Sequence, residues 1–272
     1  MHTPDPVLVV CRKLQENGHE AVVVGGCVRD TLMGRAPHDW DVATSALPSE
    51  VQSLFARTVP TGLQHGTVTV MMGDEAVEVT TFRMDGDYSD GRHPDSVRFG
   101  ATLAEDLSRR DFTMNAVAYD PVTDVTTDLF GGAYDIRDRV VRAVGRPVVR
   151  FEEDALRMMR ACRFSATLDF TVDPDTMDAL GAMSHLLPRV SSERVRDELL
   201  KTLGANLPSV GLELMLTTGL MNHFLPEIVA GRGFHQNRHH NFDVFTHTMV
   251  AVDNMKGDSV LRFAALMHDV GK

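Results

Sequence analysis

A chain of 272 residues can bury a sizeable core and has room for more than one domain. Its 43% hydrophobic and 24% charged content is that of an ordinary globular protein, and no apolar run approaches the ~18 residues of a membrane span, so a membrane protein is excluded and a cytoplasmic location is expected. A formal net charge of −11 argues against a non-specific nucleic-acid binder but leaves room for a local basic patch, and arginine occurs eight times between Arg137 and Arg163. The start MHTPDP lacks a signal-peptide pattern. Cys11, Cys27 and Cys162 are scattered without CxxC spacing, as expected of reduced thiols in or near a core.

In chain order, residues 7–17 carry helical spacing (Val7, Val10, Cys11, Leu14) and stop at Asn17-Gly18. Residues 21–24 are Ala-Val-Val-Val, suited to a buried strand. Gly25 and Gly26 end that strand and let main-chain N–H groups approach something bulky and anionic. Arg29 follows on a helix expected over 27–33 and closed by Gly34 and Pro37. Asp39-Trp40-Asp41 then reads as strand. Residues two apart in a strand point the same way, so Asp39 and Asp41 would present paired carboxylates to one site. Two like charges that close are unfavourable unless a cation sits between them, and Mg²⁺ takes such oxygens together with substrate phosphates. The plainer reading is a glycine turn and two solvated aspartates, since a lone Asp-x-Asp often matches by accident. The upstream Gly-Gly and Arg29-Asp30 turn the balance towards phosphoryl or nucleotidyl transfer.

Over residues 25–44 the run GGCVRDTLMGRAPHDWDVAT resembles motif A of the class II tRNA nucleotidyltransferase and bacterial poly(A) polymerase family. Further along, residues 48–55 read as a short helix, and 67–72 and 76–82 as two strands around a Gly73-Asp74 turn. Alternation puts Glu78 and Thr80 on one face. Glu78 is therefore either a third metal carboxylate or an ordinary exposed strand glutamate. Residues 82–99 are rich in Gly, Asp, Ser and Pro and long for a loop. They resemble the segment between motifs A and B, which CC-only enzymes of the family lack, so the resemblance implies addition of the terminal A. His93 departs from the family's usual arginine.

Residues 108–116, Ser-Arg-Arg-Asp-Phe-Thr-Met-Asn-Ala, resemble motif B. By composition this is a charged turn; after a carboxylate motif, Arg109 and Arg110 suit a triphosphate and Asp111 a ribose hydroxyl. The resemblance adds Asn115 to the nucleotide-binding set. Residues 128–136, with Gly131-Gly132 before Asp135-Ile136, resemble motif C, and 142–145 read as the last strand and a boundary. The chain then turns helical over 152–164, 175–184, 192–203 and 210–220, with breaks at Pro188, Pro208 and Pro226.

Glu153-Asp154-Ala155-Leu156-Arg157 resembles motif D, the family's amino-acid template for the incoming base, and the nucleotide-binding set extends to Arg160. Asp154 and Arg157 are three apart and would share a helix face. They would either form a surface salt bridge, worth only ~0.3–0.5 kcal/mol, or together read a base. An acceptor beside a forked donor matches the amine and ring nitrogen of cytosine and adenine, and mismatches uracil and guanine. Residues 191–194 resemble motif E, a support for that helix, with Ser192 the expected cap. Towards the end come His235, His239, His240, His247 and His268. Residues 245–248 and 265–272 resemble the opening of an HD-type metal phosphohydrolase domain, so His247, His268 and Asp269 are candidate transition-metal ligands, or polar ends of packed helices. An HD site needs a further downstream aspartate, so a truncated HD domain is expected.

The expectation is an α+β fold: a nucleotidyltransferase head with a small mixed sheet and helices over 1–145, an all-helical neck and body over 146–230, and a partial helical HD domain over 231–272. The resemblance implies template-independent addition of CCA or the terminal A to tRNA 3′ ends from CTP and ATP. Asp39 and Asp41 would hold Mg²⁺ as the catalytic residues. Gly25, Gly26, Arg29, Arg109 and Arg110 would hold the triphosphate. A poly(A) polymerase of the same family and an HD phosphohydrolase are the alternatives.

Overall fold

The computed structural model describes residues 1–86, 97–234, 242–256 and 258–271. The centre of the 82–99 segment with His93, the histidines His235, His239 and His240, and Lys272 lie outside the described residues. The chain divides into two compact units, one ending at Gly145 and the other running from Arg146, except that 139–141 belong to the second.

The first unit is built on a mixed seven-stranded sheet of order β3-β4-β5-β2-β1-β8-β9. The strands are β1 (Ala21–Val24), β2 (Asp41–Thr44), β3 (Thr58–Gly62), β4 (Thr67–Met72), β5 (Glu75–Thr81), β8 (Val117–Asp120) and β9 (Val125–Asp128). A separate ribbon pairs β6 (Arg83–Asp85) with β7 (Val97–Phe99). Every neighbour in the main sheet is antiparallel except β2 and β5. All four residues of β1 are buried because both sheet faces are covered. On one face α1 (Asp5–Glu16) sets Val7, Val10, Cys11 and Leu14 against Val23, Val42, Val77 and Val79, joined by Val51 of α3 (Pro48–Leu54). The other face carries a smaller core of Val22, Val24, Ala43, Phe82, Leu107 and Ala118. The helices α2 (Gly26–Leu32), α4 (Leu103–Ser108) and α5 (Gly132–Asp138) complete the unit.

In the second unit, α7 (Leu156–Leu168) contributes ten buried residues. It packs against α9 (Ser192–Leu203) and α10 (Pro208–Thr217). Gly211 lets α10 approach closely, since a Cβ there would meet Cys162 O at 3.0 Å and Thr202 Cγ2 at 2.7 Å. The remaining elements are β10 (Val140–Val141) paired with β11 (Thr171–Val172), α6 (Pro147–Glu153), α8 (Pro174–Met183), α11 (Pro226–Ala230), α12 (Val244–Asn254) and α13 (Ser259–Met267). No described helix is long and apolar enough to cross a membrane.

Several sequence expectations need correction. The strand holding the carboxylates starts at Asp41, and Asp39 sits in a bend before it. The helix expected over 152–164 is two helices, interrupted at Asp154, whose φ of −146° and ψ of 104° are extended. Ser191, not Ser192, holds the N-cap position of α9, without a side-chain cap hydrogen bond. Residues 142–145 form no strand beyond an isolated bridge from Ala143 to Phe112. Pro208 and Pro226 lie in the first turns of helices, where a missing N–H costs nothing.

Two glycines make opposite predictions. A Cβ on Gly132 would lie 2.1 Å from the main-chain oxygen of Thr113. Gly132→Ala should therefore destabilise the fold by about 1–3 kcal/mol. Gly181, inside α8, has nothing within 4 Å of such a Cβ. Gly181→Ala should stabilise by about 0.5–1 kcal/mol. Urea unfolding measures both; a Gly132→Ala variant of wild-type stability would show that α5 does not pack as tightly as described.

Candidate active site

The site begins with the register of the sheet. Asp41 on β2 is directly opposite Glu78 on the parallel strand β5, and Glu78 is opposite Thr69 on β4. Side chains paired in register point to the same face, so the two carboxylates stand beside each other on one sheet surface. Val77 and Val79 are buried on the opposite face, which leaves Glu78 outward. Asp39, although outside the strand, joins them: Asp39, Asp41, Thr69 and Glu78 line one cavity of about 460 Å³, with His38 and Trp40 at its edge. Burial and the neighbouring Glu78 carboxylate push the Asp41 carboxyl above its usual range; Arg110 pulls it down and Asp39 adds to the rise. Three acids gathered in this way suit a hard divalent cation such as Mg²⁺. Asp39, Asp41 and Glu78 thus line one cavity, although one carboxylate oxygen from each does not fall within 4.8 Å of the others.

Beside the acids, Gly25 takes φ of +80° and opens α2. A Cβ there would meet Arg110 Nη1 at 3.2 Å and Asp41 Oδ2 at 3.7 Å. A side chain would therefore be strained and would crowd the gap between guanidinium and carboxylate. A helix opening directly from the glycine leaves its first N–H groups outside the helical ladder, an arrangement that suits a phosphate. Arg29 is 9% exposed and fixed by its neighbours: Nε and Nη2 donate to Asp30 Oδ1, and Nη1 donates to Asn115 Oδ1 at 2.8 Å. Asn115 in turn donates to Asp111 Oδ1 at 3.1 Å. Gly25, Arg29, Arg110, Asp111 and Asn115 are thereby linked into one network, with Gly26 3.5 Å from Arg29 Nη2 when given a Cβ.

Arg109 and Arg110 are both held by Asp106, a residue absent from the sequence reading. The signal was present: Asp106 lies three and four residues before the arginines, the helical spacing at which opposite charges meet. Motif C also has a structural part. Asp128 accepts from the N–H groups of Gly132 and Ala133, and buried Asp135 accepts from Thr113 Oγ1 at 2.6 Å, which ties α5 to the arginine segment.

In the second unit Asp154 and Arg157 do not pair with each other. Arg194 donates to both oxygens of Asp154, at 3.2 and 2.7 Å, and Arg157 Nη1 donates to Glu153 at 2.6 Å. Both the salt-bridge alternative and the shared helix face are replaced by two separate anchors. Arg160 stacks over Phe164, 5.3 Å from the ring centroid. Arg137, Arg139, Arg142, Arg150, Arg157 and Arg163 are ion-paired, which neutralises much of the expected basic patch.

The same unit brings His247, His268 and Asp269 together, with one ligand atom from each within 4.8 Å of the others. His268 Nε2 lies 3.3 Å from His247 Nε2 and 3.2 Å from Asp269 Oδ1. His268 Nδ1 donates to the Ala265 carbonyl at 2.6 Å, so in the neutral ring it is Nε2 that carries the lone pair. That tautomer fits a transition-metal ligand.

Residues 21–142 match the family described as the Poly A polymerase head domain, and residues 169–231 match the one described as "Probable RNA and SrmB- binding site of polymerase A". The chain belongs to the class II tRNA nucleotidyltransferase family. It is 49% identical over 214 residues to a CCA-adding enzyme of Levilactobacillus brevis, an alignment covering 79% of this chain and 54% of that protein. It superposes with a TM-score of 0.74 on the Bacillus stearothermophilus CCA-adding enzyme in complex with CTP, at 45% identity over 80% of this chain and 53% of the other. A tRNA nucleotidyltransferase complexed with a primer tRNA and an incoming ATP analogue gives 0.73 at 26% identity, covering 96% and 75%. The chain spans about half the length of the curated relatives it matches. Within the family, the mixed-sheet head followed by helices is the shared α+β fold.

The raised Asp41 carboxyl has a definite pH consequence. A carboxylate whose folded pKa exceeds its unfolded value stabilises the metal-free fold at low pH, and this contribution is lost as pH rises through the folded pKa. Mg²⁺ binds only the ionised form, so the stabilisation it confers must grow in the same direction. At one hundred times its dissociation constant a cation should add about 2.7 kcal/mol where Asp41 is ionised, and progressively less as the pH falls and Asp41 protonates. Thermal melts with and without Mg²⁺ measure this. An Mg²⁺ effect independent of pH, or retained in Asp41→Asn, would contradict the carboxylate site.

Proposed function

We propose that this chain adds nucleotides to tRNA 3′ ends from CTP and ATP without a nucleic-acid template, releasing pyrophosphate. The observation that carries the reading is the convergence of Asp39, Asp41 and Glu78 on one cavity beside Gly25 and Arg110. Mg²⁺ bound there would supply Lewis-acid stabilisation of developing charge and lower the pKa of the attacking 3′-hydroxyl. Asp39 and Asp41 hold the cation, with Glu78 as a third carboxylate. Gly25, Gly26 and Arg110 receive the triphosphate, Arg109 adds charge, and Arg29 and Asn115 hold Asp111 towards the ribose. We read residues 1–145 as the catalytic head, 146–230 as neck and body, and 231–272 as a partial HD domain, in a protein of the cytoplasm. The presence of the 82–99 segment in the sequence favours addition of the terminal A.

Base choice belongs to Asp154 and Arg157. Asp154 Oδ1 accepts from Arg194 and from the Leu156 N–H, and Oδ2 accepts from Arg194, which leaves Oδ2 a lone pair for a base; Arg157 is anchored beside it through Nη1 to Glu153 and to the Arg150 carbonyl. The anchors sharpen the expected phenotype. In Asp154→Asn, Arg194 should retain the amide oxygen and leave the NH₂ towards the base, where it donates to a carbonyl. UTP and GTP should then be admitted at the expense of about 1–3 kcal/mol of selectivity, while Arg157→Ala weakens CTP and ATP together. The assay is kcat/KM for the four NTPs on tRNA transcripts ending at the discriminator base, in C and in CC. Wild-type preference in Asp154→Asn would place base selection elsewhere, and turnover in Asp41→Ala at saturating Mg²⁺ would refute the metal assignment.

A second reading rests on the His247, His268 and Asp269 cluster: the second unit holds a transition metal. His268→Ala should abolish stoichiometric Ni²⁺ or Mn²⁺ binding measured by calorimetry. Binding unchanged in that variant would assign the cluster to helix packing.

A further inference from the structure

The arginine pair of the head converges on a single buried carboxylate. Asp106 is 1% exposed. Its Oδ1 accepts from Arg109 Nε at 3.1 Å and Nη2 at 2.6 Å, and its Oδ2 accepts from Arg110 Nη2 at 3.1 Å. The Arg83 N–H reaches the same Oδ1 at 3.4 Å, while Arg109 Nε also meets the Arg83 carbonyl at 3.1 Å. One carboxylate therefore fixes both guanidiniums and the first residue of the β6–β7 ribbon. Its own place is set by a capping box, in which Glu105 Oε2 accepts from the Thr102 N–H at 2.7 Å and Thr102 Oγ1 accepts from the Glu105 N–H at 3.3 Å. Although burial raises the Asp106 carboxyl, Arg109 and Arg110 hold it below the usual carboxylate range.

The position of Arg110 makes this pairing consequential. Its guanidinium lies against Gly25 and interacts electrostatically with Asp41. Its Nε is buried and has no hydrogen-bond partner among the described residues. A guanidinium deprived of Asp106 has Asp41 as an alternative partner, and a charge pair in a low-dielectric site is a strong competitor for both a cation and a phosphate. We propose that Asp106 is a positioning residue for nucleotidyl transfer: it presents Arg109 and Arg110 to the triphosphate and keeps Arg110 from closing onto the metal-binding carboxylates. The proposal rests on the reading of the head as a triphosphate site.

The test compares ATP binding by equilibrium titration, and the Mg²⁺ concentration that half-saturates it, in wild type, Asp106→Asn, Arg110→Ala and the double variant. Losing a buried orienting partner should weaken ATP binding roughly 10- to 100-fold in Asp106→Asn and raise the Mg²⁺ requirement. In the Arg110→Ala background the added substitution should leave the Mg²⁺ requirement unchanged, because the competing guanidinium is gone. A merely structural Asp106 would lower the melting temperature without moving either midpoint, and would act equally in both backgrounds; that result overturns the proposal. Should Asp106→Asn not fold, Asp106→Glu keeps the charge and displaces both guanidiniums, so wild-type ATP affinity in a folded Asp106→Glu variant also overturns it. Absence of ATP binding by the wild-type protein would instead refute the triphosphate site itself.

Discussion

Crowding of like charge on one sheet face organises the head. The parallel register of β2 and β5 places Asp41 opposite Glu78, and the bend before β2 adds Asp39 to the same cavity. Nothing in folding favours this arrangement, because burial and mutual repulsion both oppose ionisation of Asp41. It persists because the two hydrophobic layers on either side of the sheet fix the register independently of the acids. Arg110 offsets part of the repulsion, and a cation would offset the remainder. The stability of the sheet is thus used to hold an electrostatically unfavourable cluster in readiness for its ligand.

A second tier of acids aims the cations of the head and of the helical unit. Asp106 holds Arg109 and Arg110, Asp30 holds Arg29, Glu153 holds Arg157, and Arg194 holds Asp154. Each guanidinium is flexible on its own and would lose rotamer freedom on binding; pairing it beforehand removes part of that cost. The same pairing places part of the acidic charge of this protein, net −11, directly beside its buried arginines. These acids are neighbours of arginines rather than part of a uniform repulsive field.

Much of this was legible in the sequence where local pattern and local structure coincide. The helix carrying Val7, Val10, Cys11 and Leu14, the strand 21–24, the strands around Gly73-Asp74 and the helix 192–203 follow from periodicity and turn residues. Alternation alone put Glu78 on the right face. What remained hidden depends on tertiary contact. The strands β3, β8 and β9 are short and partly polar, and sheet pairing rather than propensity makes them strands. At the break the Asp154 carboxylate accepts from the Leu156 N–H, a local signal, and from Arg194, forty residues away, a partner no local window contains. Asp106 was recoverable from its spacing, but only if the arginines were read as needing a partner.

The most direct measurement of the central claim is a crystal structure of this protein with Mn²⁺ and a non-hydrolysable CTP analogue, using the anomalous signal of the metal. Manganese replaces magnesium at oxygen sites and can be located without ambiguity. The account predicts metal density bridging Asp39, Asp41 and the triphosphate, with Arg110 on the phosphates and still paired to Asp106. Metal bound elsewhere, or Arg110 closed onto Asp41 with the triphosphate outside the cavity, would contradict it.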